Sequence, residues 1–174
     1  MTSEARVIDV PGVPRFQISP HHCFACGTLN THGLQLDLLV ERGRSWVELT
    51  YEERFQGWDG IAHGGILATI LDEVMAWALV GEDNWGVTAR LSIEFKQPVR
   101  VGQAIRAEGW ITRSRRRIVD TEARMVDAAS GEVLATASGV YMAADETRKQ
   151  ELRALYGWRP VDDQATPEPV DASR

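Results

Sequence analysis

The segment from Gly57 to Val80 constrains this chain more than any other. It opens on a glycine-dense turn, Gly57-Trp58-Asp59-Gly60-Ile61-Ala62-His63-Gly64-Gly65, and runs directly into the apolar stretch Ile66 to Val80. The pattern predicts one long helix, apolar on nearly every side and therefore buried. Gly81 supplies a C-terminal stop. Two carboxylates, Asp72 and Glu73, lie inside the helix. At its start, Gly64 and Gly65 have no side chains to cover their backbone N–H groups. Those donors and the positive end of the helix dipole favour an anion or a developing oxyanion. One segment thus carries an electrophile site and an acid.

The flanking sequence reads as strands. Gln35 to Val40 alternates, Glu41-Arg42-Gly43-Arg44 has turn chemistry, and Ser45 to Tyr51 alternates again, which predicts a hairpin. After the helix, Leu91, Ile93 and Phe95 alternate with Arg90, Ser92, Glu94 and Lys96, the pattern of a half-exposed strand from Val87 that Pro98 ends. Ala104 to Thr112, Ile118 to Asp127 and Val133 to Ala143 predict three more strands, with turns at 113–117 and around Ser130-Gly131. Glu146 to Tyr156 reads as a short helix. Met1 to Ile18 is expected to be a loose arm and Arg159 to Arg174 a disordered tail. Two strands, one helix and four strands make an α+β fold, an antiparallel sheet with one buried helix. A sheet wraps such a helix on one side only, so a second copy of the chain is expected to cover the other.

A length of 174 residues suits one domain. The formal net charge of −6 argues against a nucleic-acid partner. No run of eighteen apolar residues predicts a membrane span, and no signal peptide is evident. The two cysteines, Cys23 and Cys26, suit a reducing cytoplasm better than a disulfide framework.

An ordered series of residues resembles the PaaI-type hotdog-fold acyl-CoA thioesterases, of the 4-hydroxybenzoyl-CoA thioesterase-like superfamily. It comprises Cys23-Phe24-Ala25-Cys26-Gly27, Asn30, Gly33-Leu34, Phe55-Gln56-Gly57, Gly60, His63-Gly64-Gly65, Asp72 and the run Thr88 to Pro98. The resemblance covers residues 21–144, leaving an arm at 1–20 and a C-terminal helix with its tail at 145–174. It implies an antiparallel sheet wrapped around one long central helix, with two protomers joining to form the sites. By resemblance, Asp72 is the nucleophile or general base. Gly64 donates its N–H to the thioester carbonyl, and Thr88 positions water. Relatives often carry Asn or Gln before His-Gly-Gly, where this chain has Gly57. The implied assembly is a homodimer or a dimer of dimers acting on acyl-CoA, with no cofactor beyond the coenzyme A of the substrate.

The spacing adds a constraint of its own. Eight residues separate Gly64 from Asp72 on one helix, roughly 12 Å along the axis. A carbonyl at the helix start therefore lies beyond Asp72 of the same chain, so Asp72 is expected to serve Gly64 of a partner. His63 either orients the carbonyl or bonds the turn, and Gly65 adds a second N–H. Arg113, Arg115, Arg116 and Arg117 cluster at a strand turn and suit the phosphates of coenzyme A, with Arg90 adding to that surface. The alternative for the cluster is a solvated hairpin tip. Cys23 and Cys26 with His21 and His22 offer too few convergent ligands for a structural zinc, so no metal is expected. Trp58 and Trp77 flank the site in sequence and are candidates to line an acyl pocket. Two rivals remain: a non-catalytic acyl-CoA-binding module and a dehydratase on the same fold.

Overall fold

The computed structural model describes residues 5–9 and 16–160, the side chains of Phe16, Arg159 and Pro160 excepted. The main sheet is built from β3 (Leu39–Glu41), β4 (Arg44–Thr50), β5 (Gly86–Phe95), β6 (Ala104–Arg115), β7 (Ile118–Asp127) and β8 (Val133–Ala143). Its order is β3-β4-β6-β7-β8-β5, antiparallel throughout. The helix α1 (Gly64–Val80) connects β4 to β5 and so carries the chain from one side of the sheet to the far edge. That crossover lays α1 over one sheet face. Leu67, Ile70, Leu71, Val74, Met75 and Ala78 are buried there against Val47, Ile105, Ala107, Val119, Met125 and Tyr141. Gly109 of β6 sets the approach, because a Cβ there would lie 2.7 Å from the Met75 nitrogen. Ser45 ties the layers polarly, its hydroxyl donating to the Val74 carbonyl at 2.6 Å.

Trp77 and Leu79 of α1 are also buried, but Ile66, Ala68, Thr69 and Ala76 are only half-buried. The helix is thus less enclosed within one protomer than its all-round apolar character predicts. The bordering strand β5 is likewise open. Val87 is 69% and Phe95 52% exposed, while Leu91 and Ile93 are half-buried.

The hairpin forms where expected, with Glu41 opposite Arg44 and Gly43 at φ +67°. Its first strand is shorter than the alternation predicts. Only Leu39–Glu41 pairs, because Gln35 takes a positive φ of 48° that breaks the extended run. The strand β6 runs to Arg115, beyond the predicted Thr112, and Arg116 turns the chain at φ +52°. The N-terminal segment departs from a loose arm. β1 (Arg6–Ile8) and β2 (Phe16–Ile18) pair with each other, and β2 pairs with β9 (Arg159–Pro160). Ile8 and Ile18, each 5% exposed, anchor this small sheet in the core. The helix α2 (Glu146–Leu155) forms as predicted, capped by Asp145. The predicted tail, apart from Arg159 and Pro160, lies outside the described residues.

Candidate active site

Asp72 lies on α1 facing the strands β5 and β8. Its Oδ1 accepts hydrogen bonds from the Thr88 hydroxyl at 2.9 Å and the Tyr141 hydroxyl at 2.6 Å. The Tyr141 oxygen is also 2.9 Å from the Asp72 carbonyl. The sheet makes this meeting automatic, since Thr88 and Tyr141 are direct partners across the β5–β8 pair. Burial, and then the Asp72 charge, push the Tyr141 phenol far above its usual range. It therefore stays protonated and acts as a donor. Oδ2 of Asp72 has no partner among the described residues. The sequence brought Asp72 and Thr88 forward but not Tyr141. A tyrosine opposite Thr88 becomes legible only once the register is known. Among the described residues, neither Arg90 nor a backbone N–H donates to the Asp72 carboxylate.

The helix start is a separate feature of the protomer. His63 is the N-cap, and its Nδ1 accepts the Gly65 N–H at 3.0 Å. The expectation that both glycine amides are uncovered is thus corrected at Gly65, whose donor His63 occupies. The Gly64 N–H has no partner among the described residues. It opens beside a cavity of about 290 Å³ lined by Ile61, Leu67, Phe95, Lys96 and Pro98. Gly64 and Asp72 belong to one 17-residue helix, eight positions apart.

The arginines lie elsewhere. Val140, next to Tyr141, points away from α1, and its cross-strand partners Arg90 and Asp120 share that face. Arg113 is opposite Asp120 in the same row. Arg113, Arg115, Arg116 and Arg117 are all exposed around the β6–β7 turn. Arg117 is partly engaged, its Nε donating to the Ala143 carbonyl at 2.9 Å. Within one protomer Arg90 and Arg113 therefore lie on the sheet face opposite Asp72, and the other arginines cluster at the turn. Trp58 is 85% exposed, whereas Trp77 is buried.

Glu73, one residue on from Asp72, faces a different neighbourhood. Its Oε1 accepts the Trp77 indole N–H at 2.8 Å. Ligating atoms of Glu73, Cys23 and Cys26 all lie within 4.8 Å of one another. Burial, and then the Cys23 charge, push the Glu73 carboxyl up to about 7, against hydrogen bonds from Cys26 and Trp77. The Cys26 thiol donates to Cys23 and pulls it down to about 5, while Cys26 itself is pushed up. Glu73 is remote in the chain from Cys23 and Cys26, so no sequence spacing marks it as a third convergent ligand. These residues border a cavity of about 240 Å³ with Trp85, Val87 and Tyr156.

Comparison with known proteins places this arrangement. The model of the thioesterase superfamily matches residues 59–134. A Saccharolobus solfataricus protein, provisionally named an esterase, is 32% identical over 102 residues, spanning 58% of this chain and 71% of its own. The crystal structure of a thioesterase superfamily protein superposes with a TM-score of 0.64 at 25% identity, over 70% of this chain. This chain spans 60% of that protein's length. A Streptococcus mutans protein crystallised with acetyl-CoA shares the fold, with a TM-score of 0.61 at 17% identity over 71% of this chain and 97% of its own. No helix among the described residues is long and apolar enough to cross a membrane. The six-stranded sheet with its single long helix is the hotdog architecture, and the chain belongs to the thioesterase superfamily.

Proposed function

We propose that this protein is an acyl-CoA thioesterase that converts a thioester and water into a carboxylic acid and the free thiol of coenzyme A. The observation that carries the reading is the Asp72–Thr88–Tyr141 cluster on a thioesterase-superfamily fold. Two hydroxyls donate to one oxygen of Asp72 and fix the carboxylate. The other oxygen is left to take a proton from water or to attack the carbonyl carbon. The uncapped Gly64 N–H and the helix dipole supply a donor to the carbonyl oxygen as it gains charge. His63 supports that donor indirectly by holding the first turn through Gly65. The coenzyme A belongs to the substrate, and the reaction requires no further cofactor.

The site is composite in this reading. An attacking oxygen must come within about 3–3.5 Å of the carbonyl carbon, yet Gly64 and Asp72 are separated along one helix by roughly 12 Å. Asp72 of one protomer therefore acts on a thioester polarised by Gly64 of another. The open strand β5, with half-buried Leu91 and Ile93, supports a homo-oligomer joined along this edge. The arginines of the β6–β7 turn then serve coenzyme A phosphates from the surface of the assembly, and not beside Asp72 of their own chain.

The test is thiol release from a panel of aliphatic and aromatic acyl-CoAs, with wild type and Asp72→Asn. The expected result is turnover by wild type that falls by about 10²–10⁴ in the variant. Binding of acyl-CoA without turnover by wild type would instead identify a non-catalytic module.

A further inference from the structure

Cys23, Cys26 and Glu73 take no part in the thioester chemistry, yet they converge from two distant parts of the chain. Both thiols sit on the loop preceding β3, and Glu73 comes from the middle of α1. Their ligating atoms lie within 4.8 Å of one another, against about 3.5–3.8 Å between ligands of a tetrahedral zinc. A small contraction suffices to close the set. All three residues are half-buried. No ion pair among the described residues involves Glu73, so three potential anions share a pocket without a bonded cation.

We infer that Cys23, Cys26 and Glu73 form a three-ligand site for a thiophilic divalent cation of the zinc class. Two thiolates and one carboxylate select a borderline-soft ion over magnesium or calcium. Each flank of the set already has a supporting donor. The Trp77 indole N–H holds Glu73 Oε1 at 2.8 Å. His21 accepts the Cys23 N–H at Nδ1 at 3.3 Å, so its proton is on Nε2, which points to Cys26 Sγ at 4.0 Å. Imidazole and indole thus orient ligands without ligating, as outer-shell partners do at metal sites. The fourth position faces the cavity of about 240 Å³ lined by Trp85, Val87 and Tyr156, where water or a small ligand completes the tetrahedron. Uptake of the ion displaces the thiol protons to solvent. Glu73 projects about 100° round α1 from Asp72, so the set is separate from the Thr88–Asp72 contact and does not depend on the hydrolytic reading.

The experiment loads reduced, chelator-stripped wild type with cobalt and then zinc. One equivalent of cobalt should give a thiolate-to-metal charge-transfer band in the near ultraviolet with tetrahedral visible bands, and zinc should erase both. Cys23→Ser and Cys26→Ser should each remove about half of the charge-transfer intensity, and the double variant all of it. Glu73→Gln should weaken the affinity, and His21→Ala should weaken it by about 10–100-fold while leaving the band in place. Reduced wild type that gives no band and retains no metal overturns the proposal, as does a Glu73→Gln protein with unchanged affinity. The wild-type spectrum reads the site directly, so the test stands even where a variant fails to fold.

Discussion

At the residue scale, the hydroxyls on Asp72 are separable. Tyr141 is buried and bonds both the carboxylate and the carbonyl of Asp72, whereas Thr88 is exposed on an edge strand. A hydrogen bond to a charged group contributes about 1.5–3 kcal/mol. Tyr141→Phe should lower kcat by about 10–100-fold with KM little changed, since the lost bond orients a group that acts on bound substrate. Thr88→Ala should produce a smaller loss if the hydroxyl only supports Asp72, and a comparable one if it also holds the water. Steady-state kinetics with one acyl-CoA decides between them. The neighbouring Glu73 gives a pH signature. Its carboxyl is raised from 4.5 to about 7 by burial. The folded state therefore holds that proton more tightly than the unfolded chain. The carboxyl costs nothing below the unfolded value and imposes a growing penalty as pH rises through the interval to about 7. Glu73→Gln should gain stability relative to wild type across that interval, by roughly 3 kcal/mol at most. Denaturant titrations of reduced, metal-free protein measure the difference.

At the scale of the element, α1 carries both halves of the proposed chemistry at different heights. Gly64 is its first residue, where proline is tolerated, and His63 before it is extended at φ −70°, ψ 125°. Gly64→Pro therefore deletes one N–H while leaving the helix in place. Turnover should fall by about 10²–10³, with circular dichroism and melting temperature nearly unchanged. A loss of helix content would mean that the glycine matters for packing instead. Most of this element was legible before any coordinates. Glycine density, a largely apolar run and Gly81 mark α1 within a residue at either end. The strands after it were marked by alternation. What stayed hidden depends on contacts distant in sequence. Tyr141 reads as one more inward strand residue until β8 is paired with β5. Glu73 is only a second carboxylate on α1 until the cysteine loop packs beside it. The small sheet of β1, β2 and β9 joins segments more than 140 residues apart through strands of two or three residues, too short for any periodicity to declare itself.

At the scale of the whole molecule, the proposed sharing of the site has an arithmetic consequence. Asp72→Asn and Gly64→Pro each disable every site of their own homodimer. A mixed dimer regains one site, built from the intact Asp72 of one protomer and the intact Gly64 of the other. Denaturing and refolding equal amounts together should recover about a quarter of wild-type activity, since about half of random dimers are mixed and each has one working site. Recovery indistinguishable from the separate variants rules the shared site out. The strand β5 carries this consequence further. Among the described residues no strand pairs with its outer edge, which offers a row of peptide groups flanked by Val87 and Phe95. A protomer on its own would leave that row to water, and its catalytic halves out of reach of each other. Catalytic rate per subunit should therefore be a function of protein concentration, falling away on dilution and returning on reconcentration, so that the quantity of enzyme in the cuvette becomes part of the measurement.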